Sequence, residues 1–442
     1  MLQQVIDALR RQEGVHDWCA RHVEKRSTQY YVIGARPESR RVATSERVVV
    51  TVMNDHAPAA GGPELVRGEA DVTVLPSDLL RLADKLSQAV FMARLTDNPR
   101  YGLPGPLRHP VVELADPEMQ ERPQEVAERL VGQLTRSLAA EKNVRLSSAE
   151  VFVEESHVHT QNSRGVDSHQ VGTHLLFDWV LLAAGDADEM ESHVAFERRR
   201  AADLDVPALA QRYAEHARDA LAAGTPKTGT FPVVVSDEAL DELVVSEGNS
   251  PLILRSSAQL KYQQISPWEV GQSIFTQTPS GDAFTLYANA LLPFGTRSGS
   301  LDGEGLPGQR LSIVENGVLT RFWATQRYAE YLGVPPTGAF GNLELPAGMH
   351  SFASLLEGAG PLYHIVAFSA MSPDPLTGDF VGEIRLGYEL HNGQARPIRG
   401  GSIGGNLFDV LAAARWSRET AFLGDYAGPR AVRFPQVTVA GA

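Results

Sequence analysis

The sequence predicts an α+β fold: an α/β N-terminal domain over residues 1–223, then a β-rich, mostly antiparallel C-terminal domain over 231–442. Three observations carry this. The first half alternates helix-period and strand-period segments. The second half is a series of short strand-like runs cut by glycine and proline. Between them lies GTPKTGT (224–230), small, polar and turn-prone, and followed by the apolar run FPVVV.

The elements follow in order. Leu2, Val5, Ile6 and Leu9 share one helical stripe, so residues 2–12 read as an amphipathic helix. QYYVIG, RVVVTVM and EADVTVL read as strands between polar turns. Ser77 after Pro76 is placed to cap a helix whose apolar face is Leu79, Leu82, Ala83, Leu86 and Val90. A second long helix starts at Pro123, with Val126, Leu130, Leu134 and Leu138 facing a core. AEVFVEE and THLLFDWVLLA read as paired strands, and DVPALAQRYAEHARDAL closes this half as a helix. Beyond the boundary, SDEALDELVV is a short helix. Asn316-Gly317 and Asn392-Gly393 each supply the two positive-φ positions of a tight hairpin turn.

Composition narrows the function. A hydrophobic content of 43% over 442 residues supports ordinary globular cores, and a net charge of −14 disfavours coating nucleic acid or an anionic membrane. One cysteine, Cys19, excludes an intrachain disulfide framework and any cysteine-rich metal site. No run is long enough for a signal or membrane segment, so the expected location is the cytoplasm.

No phosphate loop, dinucleotide fingerprint or nucleophile elbow occurs. Gly400, Gly401 and Ser402 open GGSIGG, which lacks the phosphate-loop lysine and reads as a turn where backbones approach closely. Of thirteen histidines, His157, His159, His169 and His174 form the one local cluster. His157 and His159 would share a strand face, and His169 and His174 could return on a partner strand. The spacing matches no common metal site, so these read as surface or groove histidines. His216 reads as a satisfied packing residue on its helix. Asp302 and Glu304, flanking Gly303 and followed by Gly305, could act as acid and base or bind a cation; bonding to the loop's own amides is the plainer role. Cys19 between His16 and His22 lacks an identifiable orienting triad for a nucleophile.

The stretches LLPFGTRSGSLDGEGLPGQRLSIVENGVLTRFWATQRYAEYLG and DFVGEIRLGYELHNGQARPIRGGSIGGNLFDVL, with the later VTVAG, resemble the core signature of the TldD/PmbA family. Upstream, Asn162, Ser163 and Gly165 resemble its N-S-x-G hairpin, and AVFMARLTDNPRYGLPGP the segment after its first long helix. The resemblance keeps the order of motifs along nearly the whole chain. It implies a two-domain subunit of a dimer, often a heterodimer, enclosing a chamber. It also implies zinc in the TldD-type subunit, on a helical H-E-x-x-x-H motif with a later cysteine.

The corresponding helix here, SDEALDELVVSEG, carries Asp241, Glu242 and Glu247 but no histidine, and the one cysteine lies in the wrong half. Its acids read as a solvated face or a partner contact. No catalytic, cofactor or metal residue is therefore carried over, and the chain resembles the TldE side of the family. The implied partner is a TldD-type zinc subunit, or a second copy of the chain. The implied substrate is an extended peptide or a peptide-like amide of specialised metabolism. A homodimeric regulatory protein is the rival from another class. Asp302, Glu304, Gly305, Asn316, Gly317, Gly400, Gly401, Ser402 and Asn406 would then form chamber or interface loops.

Overall fold

A computed structural model describes residues 1–185 and 189–441. The first helix, α1 (Leu2–Arg11), buries the expected stripe of Leu2, Val5, Ile6 and Leu9. Strands β1 (Asp17–Ile33), β2 (Arg36–His56) and β3 (Val66–Val74) follow, then α2 (Leu82–Ala93). The expected Ser77 cap is not formed. A 3-10 turn at Pro76–Arg81 precedes α2, and the Asp78 carboxylate accepts from the Leu75 amide at 2.9 Å instead. Asp sits one turn in, where its longer reach closes the loop back on itself.

After the short α3 (Pro117–Glu121), α4 (Pro123–Ala139) has proline at its first position and buries Val126, Leu130, Leu134 and Leu138. Strands β4 (Val144–Asn162), β5 (Asp167–Ala184) and β6 (Glu189–Arg198) complete one antiparallel sheet, ordered β3-β2-β1-β4-β5-β6. Its strands are much longer than hydrophobic alternation suggested. The middle of β1, residues 21–26, is polar apart from Val23, so the alternating apolar signal exists only at the ends. Two cores form on one face of this sheet: one under α1 and α2 with Trp18, Val48, Val50 and Val52, the other under α4 and α5 (Val206–Ala222) with Phe177 and Trp179.

Strand β7 (Gly229–Ser236) leads into α6 (Asp237–Val244) and belongs to a second sheet. There Leu362–Pro373, β7, Ala431–Ala440, Ser402–Asn406 and Asp379–His391 run side by side, and the first pairs back to the last, closing a ring. A third sheet is built from short strands between Leu286 and Pro429, and one continuous apolar core fills the space between it and the ring. The predicted hairpin turns are present, with Asn316 and Gly317 at φ 49° and 78° and Asn392 and Gly393 at 51° and 74°. At Gly401 (φ 68°) a Cβ would sit 2.1 Å from the Ala440 carbonyl oxygen, the close approach expected of GGSIGG.

Candidate functional site: a cleft between an open strand edge and an acidic helix

The first sheet meets the second half at several places, two of which hold candidate residues. The first is a lock around the β4–β5 turn. Asn162 is buried; its Oδ1 accepts from the Arg164 and Val166 amides at 2.9 and 3.0 Å, forming the turn. Its Nδ2 donates to the Pro104 and Glu304 carbonyls at 2.9 and 3.3 Å. Ser163 Oγ donates to Asp17 Oδ1 at 2.6 Å, and Asp17 in turn pairs with the buried Arg67 at 2.8 Å. The N-S-x-G residues thus tie the turn to the loop at 302–306.

That loop is organised by its own acid. Asp302 Oδ1 accepts from the amides of Glu304, Gly305 and Leu306 at 3.0, 2.9 and 2.9 Å, the structural role favoured by its glycine-rich setting. Glu304 Oε2 accepts from the Gln326 amide at 2.7 Å, at the start of the helix Gln326–Leu332. Burial, with Asp302 adding repulsion, pushes Glu304 up to about 7. Cys19 is buried, and burial reinforced by Glu304, Asp302 and Asp17 pushes its thiol up, which disfavours the nucleophilic thiolate. Asn406 caps the helix Leu407–Leu411 and donates to the Thr377 carbonyl and Asp379 at 2.9 Å each.

The second region is a cleft of about 980 Å³. Residues 193–198 of β6 form one wall and Glu238, Asp241 and Glu242 of α6 another. Among the described residues β6 pairs with β5 alone, so the backbone groups on its other edge have no strand partner. The acids of α6 are therefore not simply a solvated face. Asp237 is held by Arg430 at 2.8 and 3.0 Å, and Glu238 faces Arg212 at 3.4 Å. Asp241 Oδ1 is buried without a hydrogen-bond partner, and burial, then the charge of Asp425, pushes its carboxyl well up. Burial and the neighbouring Glu238 raise Glu242 to about 7. Arg198, 5% exposed, donates to the Glu197 and Leu423 carbonyls at 2.8 and 2.7 Å, while its Nε is unpartnered. Arg297 pairs with Asp425 at 3.0 Å.

The cleft's own donors do not suit zinc. α6 offers carboxylates and no imidazole, His193 on the facing strand is the one histidine lining the cleft, and Cys19 lies elsewhere. Among the described residues no three ligand atoms converge there. The histidine cluster is split by the pleat. His159 stands opposite His169 on β4 and β5, with His157 on the same face, whereas His174 points to the other face between Glu154 and Glu197 at 3.2 Å each. His216 packs on Tyr213, but its Nδ1 has no partner; it is not the satisfied residue expected, and burial, aided by Arg212, lowers it to about 4.

Residues 228–441 match the PmbA/TldA metallopeptidase C-terminal domain. The C-terminal half of the chain belongs to the TldD/PmbA family. The chain is 26% identical over 289 residues to an uncharacterized protein of Methanocaldococcus jannaschii, covering 63% of this chain and 66% of that one. It is 27% identical over 215 residues to a zinc metalloprotease TldD homolog of Saccharolobus solfataricus, covering 44% and 45%. The alignments thus span just under two thirds of the first relative's length and under half of the second's. TldE from Thermococcus kodakarensis shares the fold, with a TM-score of 0.82 over 99% of this chain and 100% of that one at 19% identity. Among the described residues no helix is long and apolar enough to cross a membrane.

Proposed function

We propose that this chain is the non-catalytic subunit, free of the peptidase zinc, of a TldD/TldE-like zinc metallopeptidase, pairing with a TldD-type chain that carries that zinc. Its task is to complete the chamber and hold an extended peptide beside the partner's metal. The observation that supports this most is the cleft: a strand with an unpaired edge faces the helix on which the family resemblance puts metal ligands, and that helix bears Asp241 and Glu242 instead of histidines. An extended peptide adds to such an edge through main-chain hydrogen bonds that ignore side-chain identity. At about 3.3 Å per residue, the six residues of β6 in the wall offer an edge of about 20 Å.

In this reading the loops at Asp302–Gly305, Asn316-Gly317, Gly400–Ser402 and Asn406 shape the chamber or the subunit interface. The catalytic zinc belongs to the partner, and the net negative charge disfavours direct contact with nucleic acid. The test is co-expression with the TldD-type chain of the same genome, which should yield a stable one-to-one complex. A stable homodimer that refuses every TldD-type chain would favour the regulatory alternative.

A further inference from the structure

The middle of β1 is a gap between two helix layers. On one face of the first sheet Trp18 and Ala20 lie in the core under α1 and α2, and Tyr30 lies in the core under α4 and α5. Alternation along the strand puts His22 and Glu24 on that same face, between the two cores. His22 Nε2 lies 2.9 Å from Glu46 Oε1 on β2 and 3.5 Å from Glu24 Oε1. Ligand atoms of these three residues all fall within 4.8 Å of one another. On the next strand His159 stands opposite His22 and His157 opposite Glu24. One strand further, His169 stands opposite His159, with ring centroids 6.0 Å from His159 and 5.7 Å from His157. No helix-period or local sequence motif joins His22 to Glu46 or to the β4 histidines; only the strand register does.

We propose that this gap is a divalent transition-metal site, with His22, Glu24 and Glu46 as three ligands and an imidazole of the His157-x-His159 pair as the fourth. Bonds of about 2.0–2.2 Å to nitrogen and oxygen require ligand atoms roughly 3.3–3.5 Å apart in a tetrahedron. Of the distances from His22, 3.5 Å to Glu24 already fits and 2.9 Å to Glu46 needs a small opening, which rotation of the half-exposed Glu46 carboxylate supplies. A mixed imidazole and carboxylate set suits zinc and its neighbours in the first row better than magnesium or calcium. Second carboxylates already stand by the β4 imidazoles, with Asp167 at 2.6 Å from His159 Nε2 and Glu155 at 3.3 Å from His157 Nε2. Such partners orient metal-bound histidines. The site lies away from the α6 cleft and does not rest on the pairing or peptide reading above.

The experiment is calorimetric titration of zinc chloride into the chelator-treated full chain. One zinc per chain is expected, with the dissociation constant raised at least about tenfold in His22→Ala and in the His157→Ala/His159→Ala pair. His391→Ala, an exposed hairpin histidine, should bind as the parent does. If His22→Ala fails to fold, Glu24→Gln/Glu46→Gln carries the same test. No saturable binding, or binding undiminished by these substitutions, would overturn the proposal.

Discussion

Replacing Arg67 by methionine tests the lock on which the candidate site rests. Arg67 is 1% exposed and donates from Nε and Nη2 to Asp55 at 2.7 and 3.0 Å, from Nη2 to Asp17 at 2.8 Å, and from Nη1 to the Tyr101 carbonyl at 2.7 Å. Removing the cation strands two buried carboxylates, and breaking a buried pair in this way costs about 3–5 kcal/mol. Arg164 and Arg100 still reach Asp17 and Asp55 at 3.0 Å each, but both are half exposed, so the lower part of that range is expected, about 3–4 kcal/mol. The pH dependence has a definite sign. Against the upward push of burial, Ser163, Arg164 and Arg67 hold Asp17 below the ordinary carboxylate range, and Arg67 with Arg100 does the same for Asp55. Depressed folded-state values stabilise above the unfolded value, near 4, and that gain is lost as pH falls through the folded values. Urea denaturation should therefore show the full gap between parent and variant at pH 7, closing toward pH 3. A loss below about 1 kcal/mol at pH 7, or a gap unchanged at low pH, would refute the reasoning.

Three further outcomes follow from the same geometry. Asn162→Ala removes four hydrogen bonds of a buried side chain and should cost about 2–4 kcal/mol in urea denaturation, with faster amide exchange at Arg164 and Val166. Glu304 is raised to about 7, so its ionised form is disfavoured by folding; Glu304→Gln should be more stable than the parent at pH 8, and the difference should vanish near pH 4. Gly401→Ala places a methyl group against the Ala440 carbonyl at a positive φ and should lower stability by at least about 1–3 kcal/mol, read as a fall in the urea midpoint.

Helices with a clean apolar stripe were legible in the sequence. Leu2, Val5, Ile6 and Leu9, and Val126 through Leu138, are buried as the period required. Asn-Gly turns were legible for the same local reason, since few residue pairs accept two positive φ angles. The reach of β1 was not, because residues 21–26 lie where neither helix layer covers the sheet and carry no alternation. The cleft was legible only in half. The histidine-free helix stands in the sequence, but its facing wall is the edge of β6, set by sheet order rather than by any local pattern. Arg198 was missed too, although the run ERRR at the end of an alternating strand was a usable signal for a buried or bridging arginine. His22 joins Glu46 and the β4 histidines only through register, which no spacing rule reaches.

On the proposed function, this chain grips substrate while a partner does the chemistry. The most direct test is hydrolysis of an extended peptide by this chain alone, by a TldD-type chain alone, and by the two mixed. Activity should require both chains and disappear when the partner's metal-binding histidines are replaced. Peptide hydrolysis by this chain alone would contradict it.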